Sequence, residues 1–154
     1  MPLRLPSYFP GTGKGKSGLY AILYRADAST YSIELAYTPD CEGGNACHYG
    51  TVSGSSGTID EDEGTKVPVT LLGGIKGHFI DSECGAHCSD SSIGWTENGF
   101  NYSISIKAET KENLIKVANS AIAASHKSAA HPTARIEGCG FRLPAPPPYR
   151  TATI

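Results

Sequence analysis

Ser91-Ser-Ile-Gly-Trp-Thr-Glu97, then Asn98-Gly99, then Phe100-Asn-Tyr-Ser-Ile-Ser-Ile106 follow one another without a break, and their reading decides the fold. Asn-Gly accepts the two positive φ angles of a two-residue type I′ turn, so the flanking runs form a β-hairpin. With Glu97 opposite Phe100, Trp95 falls opposite Tyr102 and Ile93 opposite Ile104. The large apolar side chains then share one face, and Thr96, Asn101 and Ser103 share the other. A few residues on, Thr110 is placed to cap a helix in which Leu114, Ile115, Val117, Ala118, Ala121 and Ile122 recur at three- and four-residue spacing. Lys111, Glu112, Lys116 and Asn119 are left for water. A sheet with one apolar face and a helix with one apolar stripe bury each other, so the rest of the chain packs around residues 91–124.

Upstream, Leu19 to Tyr24 and Tyr31 to Tyr37 make a second hairpin around Asp27-Ala-Ser29, with Tyr31, Ile33, Leu35 and Tyr37 on one face and Ser32, Glu34 and Ala36 pointing outward. His48 to Ser53 is a shorter strand with a weak point at Gly50. The Ser-, Gly- and acid-rich run from Gly54 to Lys66 has too little apolar content to order itself and is expected to be the longest mobile loop. Val67 to Leu72 reads as an edge strand, because Pro68 brings no amide hydrogen to a ladder. Gly73-Gly74 then turns the chain into a strand from Ile75 to Ile80. Residues 1–17 read as an irregular lead-in, 18–124 as a single domain, and 125–154 as an extended tail in which Pro144-Ala-Pro-Pro-Pro148 favours polyproline geometry. The sum is an α+β fold, a curved antiparallel sheet of six to eight strands packed against one C-terminal amphipathic helix.

A chain of 154 residues suffices for one domain with a core. Its 18 glycines and 10 prolines, against 18% charged residues, argue against a helical bundle. A formal charge of −2, with scattered lysines and arginines, gives no basic field for nucleic acid or an anionic membrane. No apolar run approaches the ~18 to 20 residues that cross a bilayer. Met1-Pro-Leu-Arg-Leu-Pro6 has no charged region followed by an apolar core, so no leader is expected within this chain.

Five cysteines fall as two close pairs, Cys41 with Cys47 and Cys84 with Cys88, and a singleton, Cys139. Local pairing closes two tight loops, each worth roughly 2 kcal/mol by the chain-entropy argument. This reads as a disulfide framework from an oxidising compartment. The alternative is a tetrahedral zinc site on Cys41, Cys47, Cys84 and Cys88, with His48 and His87 near by; the second spacing suits it and the first is too wide. No cofactor is otherwise expected. Gly11-Thr-Gly-Lys-Gly-Lys-Ser17 misses the phosphate-loop spacing by one residue and precedes a strand where a helix is required.

No set of catalytic residues converges. Cys139 has His126 and His131 close in sequence as candidate bases, but Gly138-Cys-Gly140 is explained by close backbone packing. His78 and Asp81 project to opposite faces. Asp60-Glu-Asp-Glu63 reads as a solvated acidic loop in place of a calcium loop. Asn101-Tyr-Ser103 is a glycosylation triplet on the outward face. Tyr20, Tyr24, Tyr31, Tyr37, Trp95 and Tyr102 read as core in preference to a ligand groove, since strand alternation already explains them.

Leu5-Pro-Ser-Tyr-Phe-Pro10, Tyr31-Ser-Ile-Glu-Leu35, the Cys41 and Cys47 pair, Gly74-Ile-x-Gly-x-Phe79, Cys84-Gly-Ala-x-Cys88, Trp95 ahead of Asn98-Gly-Phe-x-Tyr102, and Ala118-Asn-Ser-Ala-Ile122 recur in one order. Over most of residues 5–122 that order resembles a group of exported bacterial proteins, many cyanobacterial. The closing pattern is also similar to envelope domains on lipoproteins and in anti-sigma-factor regulators. The resemblance implies a curved antiparallel sheet with helical cover, disulfides and export to the periplasm, cell surface or medium, and it supplies no catalytic residue. The expectation is a non-catalytic extracytoplasmic domain that binds a protein partner or assembles with itself. Its contact surfaces would be exposed strand edges and the tail at Pro144, Pro146, Pro147, Pro148 and Tyr149. The alternative is a groove beneath the helix for an apolar ligand or peptide, and behind that a zinc or thiol enzyme.

Overall fold

The computed structural model describes residues 2–11, 18–41, 43–57, 64–85 and 88–129, the last five by backbone alone. Its elements are β1 (Tyr20–Ala26), β2 (Thr30–Ala36), β3 (His48–Ser55), β4 (Val67–Thr70), β5 (Lys76–Ile80), β6 (Asp90–Glu97), β7 (Phe100–Lys107) and α1 (Lys111–Ala129), with a 3-10 turn at Leu72–Gly74. The strands form one open antiparallel sheet of seven in the order β1-β2-β3-β7-β6-β5-β4. The α+β architecture expected from the sequence is the one found.

The β6–β7 hairpin has the expected register, Glu97 with Phe100, Trp95 with Tyr102 and Ile93 with Ile104. Asn98 and Gly99 turn at φ 53° and 79°, the positive pair that lets the two strands twist together. Trp95 and Tyr102 stack with ring centroids 5.4 Å apart. Above them lies α1. Thr110 caps it, its hydroxyl accepting from the Asn113 amide at 3.4 Å, and Leu114, Val117, Ala118, Ala121 and Ile122 are fully buried against the sheet. Asn119, expected to face water, instead accepts a hydrogen bond from the Leu72 amide at 2.7 Å and ties the helix to the 3-10 turn.

The lead-in is irregular yet belongs to the core. It runs as a strap beside α1 over the same face. The Ser7 and Tyr8 amides donate to Ser120 Oγ at 3.1 and 3.3 Å, Tyr49 donates to the Pro10 carbonyl at 2.8 Å, and Tyr102 donates to the Pro2 carbonyl at 3.2 Å. Arg4 points inward, paired with Glu97 through two contacts of 2.8 and 3.1 Å and stacked over the Tyr102 ring.

β3 extends to Ser55, so Gly54 and Ser55 are strand and not loop, while 58–63, including Asp60 to Glu63, fall outside the described residues. Gly50 is no weak point. A Cβ there would sit 2.2 Å from the Ser105 carbonyl oxygen, so glycine is what lets β3 and β7 approach. β4 is an edge strand, as Pro68 requires. β2 alternates as expected, but the exposure of its outward face needs correction: Glu34 and Ala36 are buried, at 3% and 0% exposure, and Tyr37 is half exposed. The loop from Tyr37 to Cys47 folds back over that end of the sheet and covers them. α1 runs past Ala124 to Ala129, and the tail beyond it, with Cys139, Pro144, Pro146, Pro147, Pro148 and Tyr149, lies outside the described residues.

Candidate functional site

Both local disulfides are formed, Cys41 with Cys47 and Cys84 with Cys88. Each of the four sulfurs is bonded to its partner, which corrects the zinc alternative because no thiolate is left to ligate. Antiparallel alternation places both closed loops at the same end of the sheet, where β2 and β5 finish and β3 and β6 begin. The residues that gather there are mostly ones the sequence did not single out.

Two bulges shape this end. Along β2 and β3 the register steps from Leu35 with Gly50 to Ala36 with His48, leaving Tyr49 as the extra residue. Without it His48 would share the helix face; with it His48 joins Glu34 on the open face, and Tyr49 packs edge-on against Phe9 and Tyr37. Along β1 and β2 the register steps between Leu23 and Arg25, making Tyr24 the extra residue of a second bulge.

His48 therefore lies between two carboxylates. Nδ1 is 3.0 Å from Glu34 Oε1 and Nε2 is 2.9 Å from Asp90 Oδ2, the second contact reaching over β7. Ser105 donates to the same Asp90 oxygen at 3.0 Å. Only an imidazolium donates through both nitrogens at once. Burial works against that charge, but the hydrogen bonds to Asp90 and Glu34 outweigh it and raise the pKa of His48 above the ordinary histidine value. The arrangement is not a hydrolytic triad. Ser105 hydrogen-bonds the carboxylate and not the imidazole, so nothing draws a proton from its hydroxyl. Chemically the group is a clasp joining β2, β3, β7 and β6.

A cavity of 360 Å³ opens beside the clasp on the open face. Ser32, Glu34, His48 and Thr51 form its floor, with Tyr24 on one wall and Gly43 and Asn45, from inside the Cys41–Cys47 loop, on the other. Glu34 Oε2 is sealed from solvent and accepts no hydrogen bond among the described residues. No family model, curated protein or solved structure matches this chain. The site has to be read from its own geometry.

The other residues singled out from sequence do not converge. His78 lines a small open-face cavity with Thr96 and Asn101, whereas Asp81 lines one beside Val67, Phe79 and Thr110. Asn101 is engaged, donating to the Gly57 carbonyl and accepting from Thr96, each at 2.6 Å. The aromatic residues divide between core, with Tyr31, Trp95 and Tyr102 buried, and surface, with Tyr20, Tyr24 and Tyr37 exposed. Residues 12–17, His87, His131, Cys139 and the His126 side chain lie outside the described residues. The clasp was hidden in the sequence because its members are 14 and 42 residues apart and a bulge sets their common face. Glu34, the one charged residue of β2, was the available signal.

Proposed function

We propose that this chain is a non-catalytic domain that works outside the cytoplasm by pairing an extended segment of a protein partner, or of a second copy of itself, along β1. The exposure of β1 carries the reading. Tyr20, Leu23 and Tyr24 are 48%, 63% and 58% exposed on a seven-residue strand that pairs only with β2 among the described residues, so apolar surface and an open sheet edge occur together. The other edge is four residues long and holds Pro68, which blunts it. The bulge at Tyr24 divides the strand into Tyr20–Leu23 and Arg25–Ala26, and the first is the longer regular run. Strand addition of this kind takes affinity from main-chain hydrogen bonds and selectivity from alternate side chains.

The two disulfides support an oxidising compartment, and the resemblance to exported envelope proteins agrees with it. The apolar-groove alternative has less support, since the space beneath α1 is filled by Leu114, Val117 and Ile122 packed on Ile93 and Ile104. Light scattering over a concentration series is the test. The wild-type chain should gain mass with concentration or in the presence of exported proteins, and the Tyr20→Lys/Leu23→Lys double variant should not, with its circular dichroism unchanged. Equal behaviour of the two chains would sink the edge reading. Truncation after Leu143 distinguishes the tail, because loss of association there alone assigns it to the proline-rich segment.

A further inference from the structure

The two disulfides differ in what surrounds their sulfurs. Opening a disulfide requires a thiolate to reach one sulfur and the other sulfur to leave as an anion. Cys41 is 2% exposed, and its Sγ lies 3.6 Å from both Glu34 Oε1 and the Gly44 carbonyl oxygen. Attack on Cys41 is blocked by burial. Attack on Cys47, whose Sγ is 3.2 Å from the same carbonyl, would release Cys41 as a buried anion beside a carboxylate, which burial and like charge both disfavour. Cys84 is exposed and Cys88 half-buried in the connection from β5 to β6, so neither obstacle applies there. That connection is also held without its bridge. The Ser89 amide donates to the Glu83 carbonyl at 2.9 Å, and the Glu83 amide donates to Ser89 Oγ at 2.9 Å. Just inside these bonds Cys84 and Cys88 face each other as an isolated antiparallel pair, Cα atoms 4.0 Å apart. Breaking the sulfur bond therefore leaves both thiols close together and able to close again.

We propose that the Cys84–Cys88 disulfide is a site of reversible thiol–disulfide exchange with an external dithiol, while Cys41–Cys47 stays closed. One thiolate of the dithiol attacks Cys84 Sγ, forming a mixed disulfide and releasing Cys88. The second thiolate attacks its own partner sulfur in that mixed disulfide and releases Cys84. Two electrons pass to the chain, the dithiol becomes a disulfide, and the two protons it gives up end on Cys84 and Cys88. With an oxidised partner the same steps run in reverse. A small thiol compound and a protein dithiol share this chemistry.

The test is reduction of the native, oxidised chain by dithiothreitol at neutral pH, after blocking any thiol already present, Cys139 included. Samples are quenched in acid, alkylated and mapped by peptide mass. Label should reach Cys84 and Cys88 about tenfold faster than Cys41 and Cys47, with the amide spectrum outside residues 81–90 preserved in that first product. In glutathione buffers of graded reduced-to-oxidised ratio, Cys84–Cys88 should open and close reversibly with Cys41–Cys47 oxidised throughout. In a Cys139→Ser background, the Cys84 thiol left by Cys88→Ser should form a mixed disulfide with oxidised glutathione about threefold faster than the Cys88 thiol left by Cys84→Ser. Label reaching both pairs together, a first reduction that unfolds the chain, or a Cys84–Cys88 pair that stays closed in every glutathione buffer would each overturn the assignment. Equal rates in the two single-thiol variants would overturn Cys84 as the attacked sulfur. Reduced thioredoxin in place of dithiothreitol then separates the sources: a faster reaction per thiolate points to a protein dithiol, and a slower one to a small thiol.

Discussion

The face of the sheet beneath α1 holds Val52, Ile93, Trp95, Tyr102 and Ile104, all at 3% exposure or less, whereas the opposite face carries Ser32, Thr51, Ser53, Thr96 and Ser103 and buries a carboxylate. Burial on the first is non-directional and summed over area, so it depends little on pH and tolerates no loss of volume. The second is held by a few directed contacts whose strength depends on protonation and on one covalent loop. Stability and chemical responsiveness are thus assigned to different faces of the same strands.

The contrast can be broken at four places. The largest loss is expected for Arg4→Ala, about 4 kcal/mol in a urea titration, because Glu97 would keep a charge near full burial with no partner. Ile104→Ala should cost about 3 kcal/mol by the same measurement, while its sequence neighbour Ser103→Ala, on the other face, should stay within about 0.5 kcal/mol. Equal effects of those two would erase the distinction between the faces. Replacing Cys41 and Cys47 together by serine should remove about 2 kcal/mol and speed amide exchange at Glu34 and His48, which that loop covers.

The smallest effect, and the one that sharpens the comparison most, is the pH response of the clasp. The folded-state pKa of His48 is raised, so its contribution to stability is complete below the unfolded value and is lost as the pH climbs through the folded one. Glu34, Asp90, Lys107, Glu109 and the tyrosines Tyr24, Tyr37 and Tyr49 surround it. Unfolding free energies measured from about pH 6 to about pH 9 should fall for the wild type and stay level through that transition for His48→Gln. Parallel slopes in the two proteins would remove the clasp as the cause.

Local chemistry made half of this legible. Asn98-Gly99 defines the hairpin register by itself, the helix stripe follows from spacing within one element, and Pro68 identifies its edge. The strap and the clasp are different in kind. Arg4 meets Glu97 across 93 residues, and His48 meets Glu34 only because Tyr49 adds one residue to a ladder. Alternation read along β2 alone places Glu34 on the outward face correctly and cannot show that a disulfide loop returns to cover it. The cysteine pairs signalled a staple, but not that one staple walls a cavity.

Strand order also sets how the sheet can be put together. β1 to β3 and β4 to β7 are two runs of sequence-adjacent strands, and the runs share a ladder only where β3 meets β7, at Gly50 with Ile106 through Ser55 with Asn101. Each disulfide closes within one run, and neither crosses that seam. Oxidation therefore scarcely shortens the search by which the two halves find their register, and the zippering of β3 with β7 should proceed at a similar rate whether the cysteines are bridged or free.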